Sequence, residues 1–352
     1  MRRWKTRSLT LSAACLGLLA APAVMAAPTY RIELIPKAHG VAPKTPNAIS
    51  DNGNIVGQGY DSETGQTLKF VSRNGKKVEA LSNTNGPTFG GPPDVNNAGT
   101  VVGRYLNGDG QERGGMWSID GTLTDLGEVV GCAEPQGAYP SAINKAGEVV
   151  LHVDCHIDGV KVNGGVLLRN GVSTMMPSLE GGSTYPYAMS NAGHVTGSSM
   201  VQVNGSAVQQ AFIWQDGQPM RPLGTKGEES SGYAVNDKGH VIGVVGRGID
   251  ARPFLYKGAA LRELPKCDDS RLFWPVAISN DDSIVGYYQW SGPTQTGLIQ
   301  NGQCALLQTL LDDSGAGWTD LLAQDMNNDG VIVGSGRYQG HRRAFIATPL
   351  SR

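Results

Sequence analysis

Charge is scarce in this chain. Asp, Glu, Lys and Arg make up 17% of its 352 residues, and beyond the first few positions no extended run of one sign occurs. The 29 basic and 31 acidic side chains leave a net charge of −2. Nucleic-acid binding draws on phosphate neutralisation by basic groups, so that class of partner is excluded. Long apolar runs are also missing after the opening segment, so no membrane span is expected in the body of the chain. Linear catalytic signatures are absent: there is no Ser-His-Asp arrangement, paired-carboxylate phrase or phosphate-binding loop. That absence does not exclude an enzyme whose site is assembled from distant segments. No cofactor is implied.

Glycine, by contrast, is abundant at 49 residues, about twice its ordinary frequency. With 39% apolar residues, this composition favours many short strands and tight turns over helices. The opening segment has its own logic. Arg2, Arg3, Lys5 and Arg7 precede an apolar run from Leu9 to Val24, which closes at the small residues around Ala26. This pattern predicts a secretory signal peptide over residues 1–26 and a secreted or periplasmic mature chain, residues 27–352. Cys15 offers a lipidation alternative, but the apolar run continues past it. Cleavage after Ala26 leaves 25 basic against 31 acidic side chains, a net of −6.

The mature chain is repetitive. The phrase Ala-Ile-Asn-x-x-Gly-x-Val-Val-Gly begins in variant forms at Ala48, Asp94, Ala142, Ala188, Ala234, Ala277 and Asp325. Its turn position falls at Gly53, Gly99, Gly147, Gly193, Gly239, Asp282 and Gly330, in steps of 46, 48, 46, 46, 43 and 48 residues. A second phrase follows, such as Ala211-Phe212-Ile213-Trp214 leading to Leu223. Each unit therefore reads as four short strands, the first two joined by a turn rich in Asn, Asp and Gly. Strands this short cannot fold alone and must bury their faces against neighbouring units.

Four strands per unit of this length predict an all-β, seven-bladed β-propeller of four-stranded antiparallel blades. The last unit supplies three strands, while an orphan strand, Tyr30 to Ile35, precedes the first unit. Pairing the two would complete the last blade and remove a sheet edge. Open solenoid stacking is the alternative. At these phrases the chain resembles the extracellular HAF-repeat family of bacterial exported proteins, marked by Ala-Ile-Asn-x-x-Gly-x-Val-Gly and a His-Ala-Phe strand. Gln210-Ala211-Phe212 and Arg343-Ala344-Phe345 lack that histidine, and Asp282 replaces a glycine. The resemblance implies a propeller-like repeat protein of undefined biochemical role.

Four cysteines remain after processing, and in an oxidising compartment they allow three pairings. Cys132 with Cys155 and Cys267 with Cys304 are preferred, because each pair belongs to one repeat. His152, Asp154 and His156 alternate along a strand and share one face, a set that suits zinc or a similar ion, or else a solvated strand edge. Asp325 to Gly330 resembles the start of a calcium loop but lacks the closing Glu, and reads better as a hairpin turn. His194 and His240 share a register that other copies fill with Asn54, Thr100, Glu148, Ser283 and Val331. Such variety predicts an exposed position.

The connections into the first strands carry aromatics: Phe89, Tyr139, Tyr185, Tyr187, Tyr233, Trp274 and Trp318. Loops between second and third strands emerge on the same side and add Arg104, Tyr105, Arg247, Tyr288, Trp290 and Arg337. Aromatic and Arg groups together are typical of recognition surfaces. The expected function is a non-enzymatic binding protein, monomeric, whose loop face takes a glycan, peptide or envelope protein. The alternatives are a polysaccharide-acting hydrolase or lyase with its site at the channel mouth, or a structural envelope or matrix protein.

Overall fold

The Asn or Ser of each repeat sets its first turn. Ser50 N–H donates to Asn54 O at 2.8 Å, Gly53 N–H returns to Ser50 O at 2.9 Å, and Ser50 Oγ accepts from Asn54 N–H at 3.0 Å. Asn144 and Asn327 build the same turn, each amide oxygen accepting two backbone N–H groups of its own loop at 3.0 Å. The turn needs a left-handed residue, which explains the glycine: Gly53 has φ +84°. Asp282 takes the same conformation at φ +68°, a strained setting for a residue with a side chain.

In the computed structural model the described residues are 30–73, 77–84, 92–132, 137–267, 272–289 and 293–350, so the expected signal segment lies outside them. They form seven four-stranded antiparallel sheets. Blade 1 is typical, with strands Val41–Ile49, Ile55–Asp61, Thr67–Arg73 and Lys77–Ala80. The first strands of blades 2 to 7 are Asp94–Val95, Ala138–Ile143, Thr184–Met189, Ser230–Val235, Leu272–Ile278 and Trp318–Met326. Blade 7 closes as the sequence suggests: Tyr30–Leu34 pairs antiparallel with His341–Pro349, from Tyr30 opposite Pro349 to Leu34 opposite Phe345. Its outer edge is covered, since Ile32 N–H donates to Ser314 Oγ at 2.8 Å and Asp312 N–H to Tyr30 O at 2.8 Å.

The core is a set of wedges between blades. Val56 and Val71 of blade 1 pack with Val101 and Trp117 of blade 2. On the other side of blade 1, Ile55 and Phe70 meet Val333 and Ala344 of blade 7. First and last units are thus neighbours, and the ring is closed. The solenoid alternative is overturned.

The repeat phrase hides a further device. Six of the seven first strands shift register by one residue just before the Ala-Ile-Asn triplet, between Pro46 and Ala48, Pro140 and Ala142, Pro186 and Ala188, Gly232 and Ala234, Pro275 and Ala277, and Ala323 and Asp325. These are β-bulges, which tolerate the Pro that four of them carry. The glycine ending Val-Val-Gly faces the bulge. A Cβ on Gly243 would sit 2.0 Å from Ser231 O and 2.9 Å from the Phe254 ring; on Gly197 it would lie 2.0 Å from Tyr185 O. Blade 3 alone replaces this glycine, with Leu151. There the partner on the third strand is Val166 rather than the Phe of blades 1, 4, 5 and 7.

Both preferred disulfides are present, with Cα separations of 5.7 Å for Cys132–Cys155 and 4.9 Å for Cys267–Cys304. Each ties a connection entering a first strand to its own blade. Replacing Gly243 with Ala is expected to destabilise the protein by about 3 kcal/mol through overpacking against backbone that cannot yield. Gly217→Ala, at φ +76° with no atom within 4 Å of the added carbon, should cost only about 1 kcal/mol. Thermal denaturation of the two variants checks the ordering.

Candidate functional site

The channel has two unlike ends. At the turn end, polar side chains of one blade bond to the next all the way round. Asn54 Nδ2 donates to Asn96 O at 3.1 Å, and Asn96 Nδ2 to Asn144 O at 3.2 Å. Lys145 N–H donates to Asn191 Oδ1 and Ala192 N–H to Asp237 Oδ1, both at 2.8 Å. Asp237 N–H then reaches Asn280 Oδ1 at 2.9 Å, Asn280 N–H reaches Asn328 Oδ1 at 2.7 Å, and Asn328 N–H reaches Asp51 Oδ1 at 3.1 Å. One bond crosses the ring: Asn191 Nδ2 of blade 4 donates to Asp51 Oδ2 of blade 1 at 3.1 Å.

Of these residues, Asp51, Asn96, Asn191, Asp237, Asn280 and Asn328 line a cavity of about 140 Å³. At about 30 Å³ per water it has room for a handful of solvent molecules, well below the several hundred Å³ of a small-molecule site. The bonds from blade to blade make the turn end a fastening of the ring.

Two blades add a half-buried carboxylate to this fastening. Asp325 Oδ2 accepts from Ile49 N–H of blade 1 at 2.8 Å, and Asp94 Oδ2 accepts from Ile143 N–H of blade 3 at 2.9 Å. Each also accepts from the next N–H of its own strand at 2.8 Å. Burial outweighs these bonds and raises Asp94 to about 6 and Asp325 to about 7, the charge of Asp94 adding to the latter. The register of His194 and His240, expected to be exposed, belongs to the same junctions. Asn54 and Ser283 are buried there. His240 Nδ1 meets Asp282 Oδ1 of the next blade at 2.6 Å, and Lys257 Nζ reaches Asp282 Oδ2 at 2.6 Å. Both contacts hold the Asp282 side chain at the junction.

The loop end carries the aromatics. Tyr187 and Tyr233 are themselves bulge residues of blades 4 and 5. Tyr233 lies 6.3 Å, centroid to centroid, from Trp274 of blade 6, whose cross-strand partner is Tyr287. Burial, then the nearby Tyr187, Tyr287 and Glu229, push the Tyr233 hydroxyl up to about 12. Tyr187 is 38% exposed and shares a hydrogen bond with Ser198 Oγ at 2.9 Å. Glu229 pairs with Arg247, another predicted face residue.

Elsewhere on this side the predicted residues form separate pairs. Arg104 stacks 4.3 Å from the Tyr139 centroid and pairs with Glu112 at 3.0 Å. Tyr185 stacks on His152 at 4.4 Å, and Arg337 pairs with Asp320 at 3.1 Å. Tyr105 and Tyr288, read as loop-face groups, are buried. Tyr105 Oη donates to Asp125 Oδ2 at 2.6 Å, and Tyr288 Oη accepts from Cys267 N–H at 2.6 Å. Trp318 is buried as well, 5.1 Å from Tyr338 and edge-on to Phe345 at 5.8 Å, because the missing side chain of Gly336 leaves room for its ring. It is core, not face. Phe89 and Trp290 lie outside the described residues. Tyr187, Tyr233 and Trp274, expected in the connections, lie inside the first strands; Tyr287 was missed by sequence reasoning because it belongs to a second strand, where no aromatic was sought.

The metal candidates do not assemble. His152 Nδ1 is 3.2 Å from Thr184 O, Asp154 pairs with Lys161 at 3.7 Å, and among the described residues no group of three His, Cys, Asp or Glu side chains converges. Asp325 to Gly330 is a turn of the repeat, as its hydrogen bonds show.

The chain is thus a seven-bladed β-propeller with a bonded turn end and an aromatic loop end. No family model matches the chain, and no curated protein sequence matches it; the HAF-repeat resemblance remains one of phrases. Solved structures match the fold. The β-propeller domain of the Trilobed protease from Pyrococcus furiosus aligns at a TM-score of 0.57 and 8% identity, over 90% of this chain and 97% of that one. Virginiamycin B lyase from Staphylococcus aureus, in a catalytically inactive form with Quinupristin, aligns at 0.53 and 9%, over 91% and 100%. YCF48 bound to D1 peptide aligns at 0.50 and 11%, over 93% and 99%. At these identities the likeness concerns the fold alone.

The two raised carboxylates make stability depend on pH. A folded-state pKa above that of an unfolded Asp means that the folded protein holds more protons. The contribution is therefore full below about pH 4 and lost as pH rises through about 6 to 7. Replacing Asp94 and Asp325 together with Ala, the residue other blades use there, is expected to narrow the gap in melting temperature between pH 5 and pH 8. Calorimetry at both values checks this.

Proposed function

We propose that this protein is an exported binding module whose loop face on blades 4 to 6 takes a glycan. The observation that carries the proposal is the meeting of Tyr187, Tyr233, Trp274 and Tyr287 from three consecutive blades, beside the Glu229–Arg247 pair. Flat rings supply broad apolar contact at small entropic cost, and Tyr hydroxyls with a carboxylate at the rim supply the directional bonds that a polyhydroxylated ring requires. Export is supported by the opening segment and by two disulfides, which persist in oxidising compartments. The ligands named for the virginiamycin lyase and YCF48 structures belong to those proteins and are not carried over.

Titration calorimetry against a panel of soluble oligosaccharides tests this reading. Trp274→Ala and Tyr233→Ala are each expected to weaken binding at least tenfold, about 1.4 kcal/mol or more, with melting temperatures close to that of the parent. Unchanged affinity in both variants removes this face. Depolymerisation of the bound glycan would instead favour the hydrolase or lyase reading.

A further inference from the structure

The outer edges of the blades are not defended alike. An edge strand with unpaired N–H and C=O groups invites another strand, and proteins blunt such edges with charge, proline or cover. Blade 1 ends on Lys77 and Glu79, blade 4 on Arg221 and Pro222, and blade 5 on Arg262 and Glu263. The outer strand of blade 7 carries Arg31 and Glu33 and is covered by Asp312 and Ser314. Gln303–Leu306 of blade 6 also lacks charge and proline, but three of its four residues are half-buried; the outer strand of blade 3, Val172–Met175, lacks both as well. It reads Val-Ser-Thr-Met without a charge, and all four residues are exposed, Val172 at 65% and Met175 at 48%.

We infer that this edge pairs with the same edge of a second copy of the chain, in antiparallel register about Thr174. The hydrogen-bond phase of the strand selects that register. Val172 and Thr174 point their backbone groups inward to the third strand, and Met176 N–H does the same, reaching Gly165 O at 2.9 Å. By alternation Ser173 and Met175 point outward. Two antiparallel strands bond only where outward groups meet outward groups. A two-fold axis at Thr174 achieves this, placing Ser173 opposite Met175 of the second copy and the reverse, with four hydrogen bonds in all. The two Thr174 side chains then face each other at a close, non-hydrogen-bonded pair, a favourable cross-strand combination. An uncharged strand meets itself without repulsion, and the contact is isologous and closes at two copies. Pro177, with no N–H, and the Asn170-Gly171 turn end the pairing on either side. So short an edge gives a weak dimer that forms at high concentration, which departs from the monomer expected from sequence.

Sedimentation velocity of the mature protein from micromolar to millimolar concentration tests the inference. The mass is expected to rise toward two copies with concentration. Thr174→Lys, which opposes two like charges, and Met175→Pro, which deletes an outward N–H without touching the inward ladder, should each weaken association about tenfold or more. Thr174→Cys should cross-link to itself on mild oxidation, whereas Arg262→Cys on the blade 5 edge should not. A monomer throughout the range, or a dimer indifferent to both the Lys and Pro variants, overturns the inference. Folding of each variant is checked by its melting temperature, independently of any glycan.

Discussion

Each blade is tied to its neighbour at the turn end by a side chain that binds backbone across the junction. A propeller must bring several separately formed sheets into a closed ring, and apolar wedges alone are non-directional. Asn and Asp at successive turns supply direction. The third residue of the phrase caps its own hairpin and, where it is Asn96, Asn236 or Asn327, also reaches the next blade, as the residues after it do. The bonds between blades 1, 2 and 3 are buried and those from blade 5 round to blade 1 partly buried, so leaving one of them unmade costs more than making it gains. The ring therefore favours a single spacing of blades. The bond from Asn191 to Asp51 fixes that spacing across the channel as well.

The fastening at one end leaves the other free to vary. Connections at the loop end differ in length and composition, and two are held by disulfides. Bulges in the first strands have consequences at both ends. They end the strand in the Ala-Ile-Asn turn, and in blades 4 and 5 the extra residue is a Tyr of the aromatic face. The glycines opposite the bulges are the steric condition for this arrangement, since a Cβ there would strike backbone. Blade 3 has Leu151 opposite Val166 instead, and blades 2 and 6 have glycine opposite glycine.

Much of the site could be read from residue order, but not its membership. Tyr187, Tyr233 and Trp274 were expected in connections entering first strands; the structure places them within those strands, with Tyr233 6.3 Å from Trp274. Trp318 stood at the same kind of position and is buried, because Gly336 opens a slot for its ring. Tyr287 lay within a strand and gave no sign of its place. His152, Asp154 and His156 do share a face, yet each is engaged by partners that strand alternation cannot reveal. The position of His194 and His240 looked exposed because its residue types vary. They vary because each answers a different neighbour: Asn54 a carbonyl, Glu148 an arginine and His240 an aspartate.

By itself the sequence determined the number of blades, their strand content, the turn chemistry and the closing role of Tyr30–Leu34. These follow from local rules: alternation along short strands, left-handed turns that need glycine, and a repeat length that admits one supersecondary unit. Both disulfides also followed from proximity within a repeat. Only the tertiary structure decided which polar groups meet across blades, which carboxylates are half-buried, which aromatics remain at the surface and which sheet edge lies undefended. Those outcomes depend on contacts between residues some 45 positions apart, or nearly 300 where the ends meet. No local pattern encodes the partner that a side chain finds at such a distance, because that partner is supplied by the closure of the ring.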